Sequence, residues 1–170
     1  MQYLTMPADF EARTLEAYAA LNRKGYALSV RETYGNLNPS PVELGSGRTS
    51  RSLPGVDAGR LGEYVAESRR LGIGFNYTFN SPCTGNMEFT SGGARRLLGF
   101  FESLLKIGIT DFTLTTPSLI GLVKGHFPEA RVTVSTIAGV ESVSAARAFE
   151  DMGADRIVLG EDVLRRFDVL

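Results

Sequence analysis

Gly72-Ile73-Gly74-Phe75-Asn76-Tyr77-Thr78-Phe79-Asn80-Ser81-Pro82-Cys83-Thr84-Gly85-Asn86 is the stretch that decides the fold. Phe75, Tyr77 and Phe79 alternate with Gly74, Asn76, Thr78 and Asn80. That period of two describes a strand with one apolar face and one polar face. A helix-ending glycine precedes it, and a polar loop with the chain's one cysteine follows it. Strand ends that open into polar loops are where α/β proteins place their chemistry.

Working outward, the same phrase of helix, glycine and strand recurs at Lys24-Gly25, Leu71-Gly72, Ile107-Gly108 and Met152-Gly153. Strands are predicted at Gln2–Met6, Tyr26–Tyr34, the central stretch, Ile109–Thr115, Arg131–Thr136 and Asp155–Leu159. Tyr26, Leu28 and Val30 are expected on one face of the second. Helix caps are expected at Asp57 and at Thr90 or Ser91, with Pro117 at the first helical position. A helix is expected over Gly139–Met152, with Val140, Val143, Ala146 and Phe149 inward, and a last one is expected to open at Glu161. Repeated βα units require parallel strands and right-handed crossovers. Two architectures fit: a doubly wound open sheet, or an incomplete TIM-type barrel of about six βα units, where a full one needs ~250 residues. The expectation is one (β/α) barrel-like domain over 1–170 with a long loop at 35–56, rich in Gly, Pro, Ser and Asn.

The bulk properties narrow the function. The 170 residues are 43% hydrophobic and 22% charged, with a net charge of -1. These values suit a globular domain and argue against a dedicated nucleic-acid binder, which is usually basic. There is no apolar run of membrane-spanning length, and the N-terminus does not read as a secretory signal. One cysteine forms no internal disulfide, so a cytoplasmic location is expected. It also cannot supply a four-cysteine zinc or iron–sulfur site, and one histidine excludes a multi-histidine metal site.

The strand ends, read in order, carry a pattern. Glu32-Thr33-Tyr34-Gly35 is followed by Gly45-Ser46-Gly47-Arg48. Asn76-Tyr77-Thr78-Phe79-Asn80 leads to Cys83 and Asn86-Met87-Glu88. Thr116-Pro117-Ser118-Leu119 precedes Val123-Lys124 and Phe127-Pro128. Val134-Ser135-Thr136 and Gly153-Ala154-Asp155-Arg156-Ile157-Val158-Leu159 complete it. This order resembles the collagenase-like peptidases, family thirty-two of the peptidases of unknown catalytic type, most closely from about Asp57 to Leu170. The resemblance implies a (β/α) barrel and a hydrolase named as a protease. It also implies an alternative, because other members serve oxygen-independent hydroxylation and hold a four-iron cluster on cysteines beyond the region matched here. Such a cluster would need cysteines from elsewhere, either a cysteine-rich partner chain or a C-terminal region. A third reading is a non-catalytic binding subunit. The open strand edges of a six-unit barrel also predict a homo-oligomer or a partner.

Barrel logic selects the candidate residues. Glu32 is a candidate general acid or base, with a salt bridge as its plainer role. On this reading, Glu32→Gln and Asn80→Ala reduce function with little loss of stability. Cys83 is a candidate nucleophile, but it needs an activating neighbour, and His126 is expected at the opposite end of the sheet. Tyr34, Asn76, Asn80, Thr116, Ser135 and Thr136 are candidate contacts to a small-molecule or peptide substrate. Ser135 and Thr136 would serve equally as helix caps. Arg48 and Arg51 in the long loop suit a carboxylate or phosphate group. Gly45-Ser46-Gly47 lacks the Lys-Ser/Thr ending of a phosphate loop, and Gly92-Gly93 reads either as a weak anion site or as tight packing.

Overall fold

The computed structural model of the chain describes residues 2–42, 45–47, 54–163 and 166. Among them, strands and helices alternate: β1 Gln2–Pro7, α1 Ala12–Arg23, β2 Leu28–Gly35, α2 Ala58–Arg70, β3 Gly74–Phe79 and α3 Ser91–Lys106. Then come β4 Asp111–Leu114, α4 Pro117–His126, β5 Arg131–Val134, α5 Val143–Asp151 and β6 Arg156–Ile157. Every neighbouring pair of strands is parallel, and the sheet order is β1-β2-β3-β4-β5-β6. A doubly wound sheet reverses its order at a switch point. This sheet never does, so right-handed crossovers put every helix on one face and the sheet curls around the other. The result is an incomplete (β/α) barrel.

The alternation in β3 sorts its side chains between the two faces. Phe75, Tyr77 and Phe79 are buried against the helices. Phe79 meets Phe101 of α3 at 5.4 Å between ring centroids, and Phe101 meets Phe112 of β4 edge-on at 5.2 Å. Each such ring contributes about 1.5–3 kcal/mol by leaving water. On the concave face the Asn76 amide nitrogen donates to Thr133 at 3.4 Å, and its oxygen accepts from Thr113 at 2.6 Å. A polar ladder therefore lines the hollow where a closed barrel would have its interior.

The glycines of the repeated phrase share one geometry. Gly25, Gly72, Gly108 and Gly153 all have φ between 70° and 92°, the left-handed turn that lets a helix end and the chain double back. After Gly72, the Ser68 hydroxyl donates to the Ile73 carbonyl at 2.6 Å and ties the end of α2 to the approach to β3. The caps form as predicted: Asp57 accepts from the Arg60 N–H and Thr90 from the Gly93 N–H.

Several boundaries differ from the sequence expectation. β2 begins at Leu28 rather than Tyr26, and Tyr26 and Leu28 are exposed while Val30 is buried. β5 stops at Val134 because Ser135 turns to accept from the Ile137 N–H and starts a 3-10 turn, Thr136–Ala138. The next helix starts only at Val143, capped by Ser142, and Val143 is 59% exposed rather than inward. β6 is two residues long, and Glu161–Val163 forms a single 3-10 turn. Within 35–56, Asn38 pairs with Val56 in an antiparallel bridge, and Leu37, Val42 and Val56 are buried. The loop is thus anchored to the core at both of its ends.

Candidate functional site

A cavity of about 330 Å³ opens at the C-terminal ends of β1, β2 and β3. The turn after β1 contributes Ala8, Asp9 and Phe10, and the end of β2 contributes Tyr34, Gly35 and Asn36. Thr78 and Asn80 come from β3 and its end, and Ser46 and Pro54 from the long loop. In a barrel this is the functional rim.

The wall at β1 is held in a strained shape. Phe10 has φ of 60°, uncommon for a bulky side chain and costing on the order of 1–3 kcal/mol. The strain is offset by burial of the ring beside Tyr64 at 5.1 Å and Phe75 at 6.1 Å. Arg60 of α2 donates to the Phe10 carbonyl and pairs with Glu11. Opposite, a Cβ on Gly35 would lie 2.7 Å from the Phe10 ring, so only glycine fits there. Asp9 accepts from the Glu11 N–H at 2.9 Å and from the Thr14 hydroxyl at 2.6 Å, which fixes the turn.

Asn80 organises the other wall. Its side-chain oxygen accepts from the Gly47 N–H at 3.0 Å, and its amide nitrogen donates to Ser135 at 3.4 Å. Its carbonyl accepts from the Thr115 hydroxyl at 2.8 Å. One residue thereby joins the long loop to β3, β4 and β5. The Gly45-Ser46-Gly47 motif is explained by this packing: a Cβ on Gly45 would lie 2.6 Å from the Phe79 ring, and one on Gly47 3.1 Å from the Asn80 carbonyl.

The other candidates lie outside the cavity. The Glu32 carboxylate is buried lower on the concave face, where it pairs with Arg156 of β6 and accepts from Thr5 of β1. The geometry is that of a salt bridge between strands, and it removes the expectation that Glu32 can be changed at little cost in stability. Asn76 lies below the rim, with both ends of its amide engaged. Cys83 is exposed, its sulfur accepts from the Gly85 N–H at 3.3 Å, and it does not line the cavity. His126 ends α4 and its Nδ1 sits 2.9 Å from the Leu122 carbonyl, at the opposite end of that helix from the rim, so no Cys–His pair forms. Ser135 caps a turn, and the Thr136 hydroxyl donates to the Leu159 carbonyl at 3.0 Å. Thr116 precedes α4 beside Ser118. Arg48 and Arg51 lie outside the described residues. Among the described residues, no group of three or more His, Cys, Asp or Glu is placed to hold a metal ion.

Two residues of the quoted pattern are not among the candidates chosen from the sequence. Thr78 lies between Asn76 and Asn80 on the polar face, as the period of two places it. Glu88 joins the loop after β3 to α4: it engages Thr84 and accepts from Ser118 at 2.9 Å. Burial alone would push its carboxyl up; the hydrogen bonds, led by Thr84, outweigh that and hold it below the ordinary range.

The profile of peptidase family U32 matches residues 62–165. An uncharacterized protease of Methanocaldococcus jannaschii is 26% identical over 98% of this chain and 49% of its own length. The chain thus spans about half the length of the curated relative it matches. Among solved structures, a U32 peptidase superposes with a TM-score of 0.75 at 16% identity, over 96% of this chain and 60% of that one. At that identity the likeness concerns the fold.

Proposed function

Since the chain belongs to peptidase family U32, we propose that its rim cavity is the substrate-binding part of a peptide-hydrolysing site. One observation carries this reading. The cavity lies at the C-terminal strand ends, where Tyr34 and Asn80 line it together. Tyr34 contacts the peptide, Asn80 holds the loop and strand ends that shape the cavity, and the strained turn at Phe10 keeps the wall rigid. Glu32 and Cys83 do not line the cavity, so the reading assigns the cavity the binding of the peptide and not the activation of water. The alternative hydroxylase reading would need cluster ligands from outside this sequence, which holds one cysteine.

The test is cleavage of unstructured peptides by the natural full-length protein and its Tyr34→Phe and Asn80→Ala variants, with melting curves in parallel. Cleavage that falls about tenfold or more while the fold persists supports the reading. Unchanged cleavage in both variants overturns it. Iron and sulfide at cluster stoichiometry in protein purified without oxygen, with no cleavage, would move the assignment to the hydroxylase reading.

A further inference from the structure

Three side chains of the central strand's polar face stand in a row: Asn76, Thr78 and Asn80. The first is satisfied by Thr113 and Thr133, and the last by Gly47 and Ser135. Between them, the Thr78 hydroxyl is buried and has no hydrogen-bond partner; among the described residues it is the one side-chain oxygen or nitrogen of which this is true. Thr78 is one of the residues that line the rim cavity. A buried, unpaired hydroxyl destabilises the free protein, whereas valine has the same shape without that cost. The fold leaves this hydroxyl free to bond a group brought to the cavity.

We propose that Thr78 Oγ1 is a ligand contact that hydrogen-bonds an uncharged peptide group of the substrate. This rests on the reading of the cavity as a substrate site. The chemistry of the walls selects the class of group. Tyr34 and Asn80 flank Thr78 with a neutral hydroxyl and a neutral amide, and Phe10 and Pro54 are apolar. The carboxylate of Asp9 at the cavity's edge already accepts from two donors of its own turn. A hydroxyl both donates and accepts, so it matches a peptide carbonyl or N–H. A charged group brought against it would lose hydration for one neutral hydrogen bond.

The experiment uses the natural full-length protein, its Thr78→Val, Thr78→Ser and Asn80→Ala variants, and the neutral probe N-acetyl-alanyl-alanine N-methylamide. Binding is followed by chemical-shift titration, with succinate as the anionic comparison. Thr78→Val is expected to melt about 2–4 °C higher than wild type and to bind the probe about tenfold more weakly. Thr78→Ser is expected to bind as wild type does. Wild-type affinity in Thr78→Val together with a loss in Asn80→Ala would overturn the role of Thr78 and leave the cavity reading standing. A probe that fails to bind wild type would overturn the cavity as a peptide site. A lower melting point in Thr78→Val would show that the hydroxyl is satisfied within the fold, and preference for succinate would overturn the neutral class.

Discussion

Arg156 of β6 pairs with Glu32 of β2 across the hollow of the sheet, although β3, β4 and β5 lie between their strands. Thr5 of β1 donates to the same carboxylate oxygen at 3.0 Å. One carboxylate therefore ties both open edges of the sheet, which is possible only because the sheet is curled. The two partners differ in burial: the Glu32 side chain is 6% exposed and the Arg156 side chain 42%.

That asymmetry predicts unequal mutants. Arg156→Met leaves a buried carboxylate without its counter-charge and should cost about 3 kcal/mol. Glu32→Gln leaves a half-exposed arginine that water can solvate and should cost about 1–2 kcal/mol. Urea unfolding of both single variants and the double variant measures the coupling. Equal costs, or none, would show that the pair does not hold the curl.

Asn76 holds the polar ladder inside the curl, with both ends of its amide engaged. Asn76→Ala removes the partners of Thr113 and Thr133 and should destabilise by about 1–3 kcal/mol. The midpoint in guanidinium chloride should fall with an unchanged slope. A midpoint equal to that of wild type would mean that the hydroxyls find other partners at no cost.

Gly92 and Gly93 should respond in opposite directions. A Cβ on Gly92 meets nothing within 4 Å, so Gly92→Ala should raise stability by about 0.4–1 kcal/mol through the unfolded chain. A Cβ on Gly93 would lie 2.3 Å from the Met87 carbonyl, where the backbone cannot yield cheaply. Gly93→Ala should lower stability by more than 1 kcal/mol and loosen the turn that carries Glu88. Thermal melts of the two variants decide it, and a like-signed shift would contradict the packing role.

High pH should weaken the fold. Burial raises the Tyr64 hydroxyl from its usual 10 to about 12, and burial also pushes Tyr77 upward. The folded state then keeps protons that the unfolded chain releases, so this stability is complete below pH ~10 and is lost as pH rises towards the folded values. Melting temperatures measured between pH 8 and about 11.5 should fall, and the Tyr64→Phe and Tyr77→Phe variants should each flatten the slope. An unchanged slope in both would assign the alkaline loss to other groups.

The sequence by itself determined the local order of this protein. Alternation at Phe75, Tyr77 and Phe79 and the glycines after each helix are read from neighbours in the chain, and both belong to the backbone geometry of single elements. The ordered strand-end motifs pointed to the family. The tertiary structure decided what depends on distant pairs. It made the sheet order sequential, which separates a curled half-barrel from an open sheet that has the same local signals. It turned Glu32 towards Arg156, 124 residues away, and Asn80 towards Gly47, 33 residues away. It left Thr78 without a partner between two satisfied neighbours. A period of two says which face a side chain occupies, but what it meets there is set by how far the sheet curls. That curl arises from packing all the helices on one side, which no local stretch of sequence encodes.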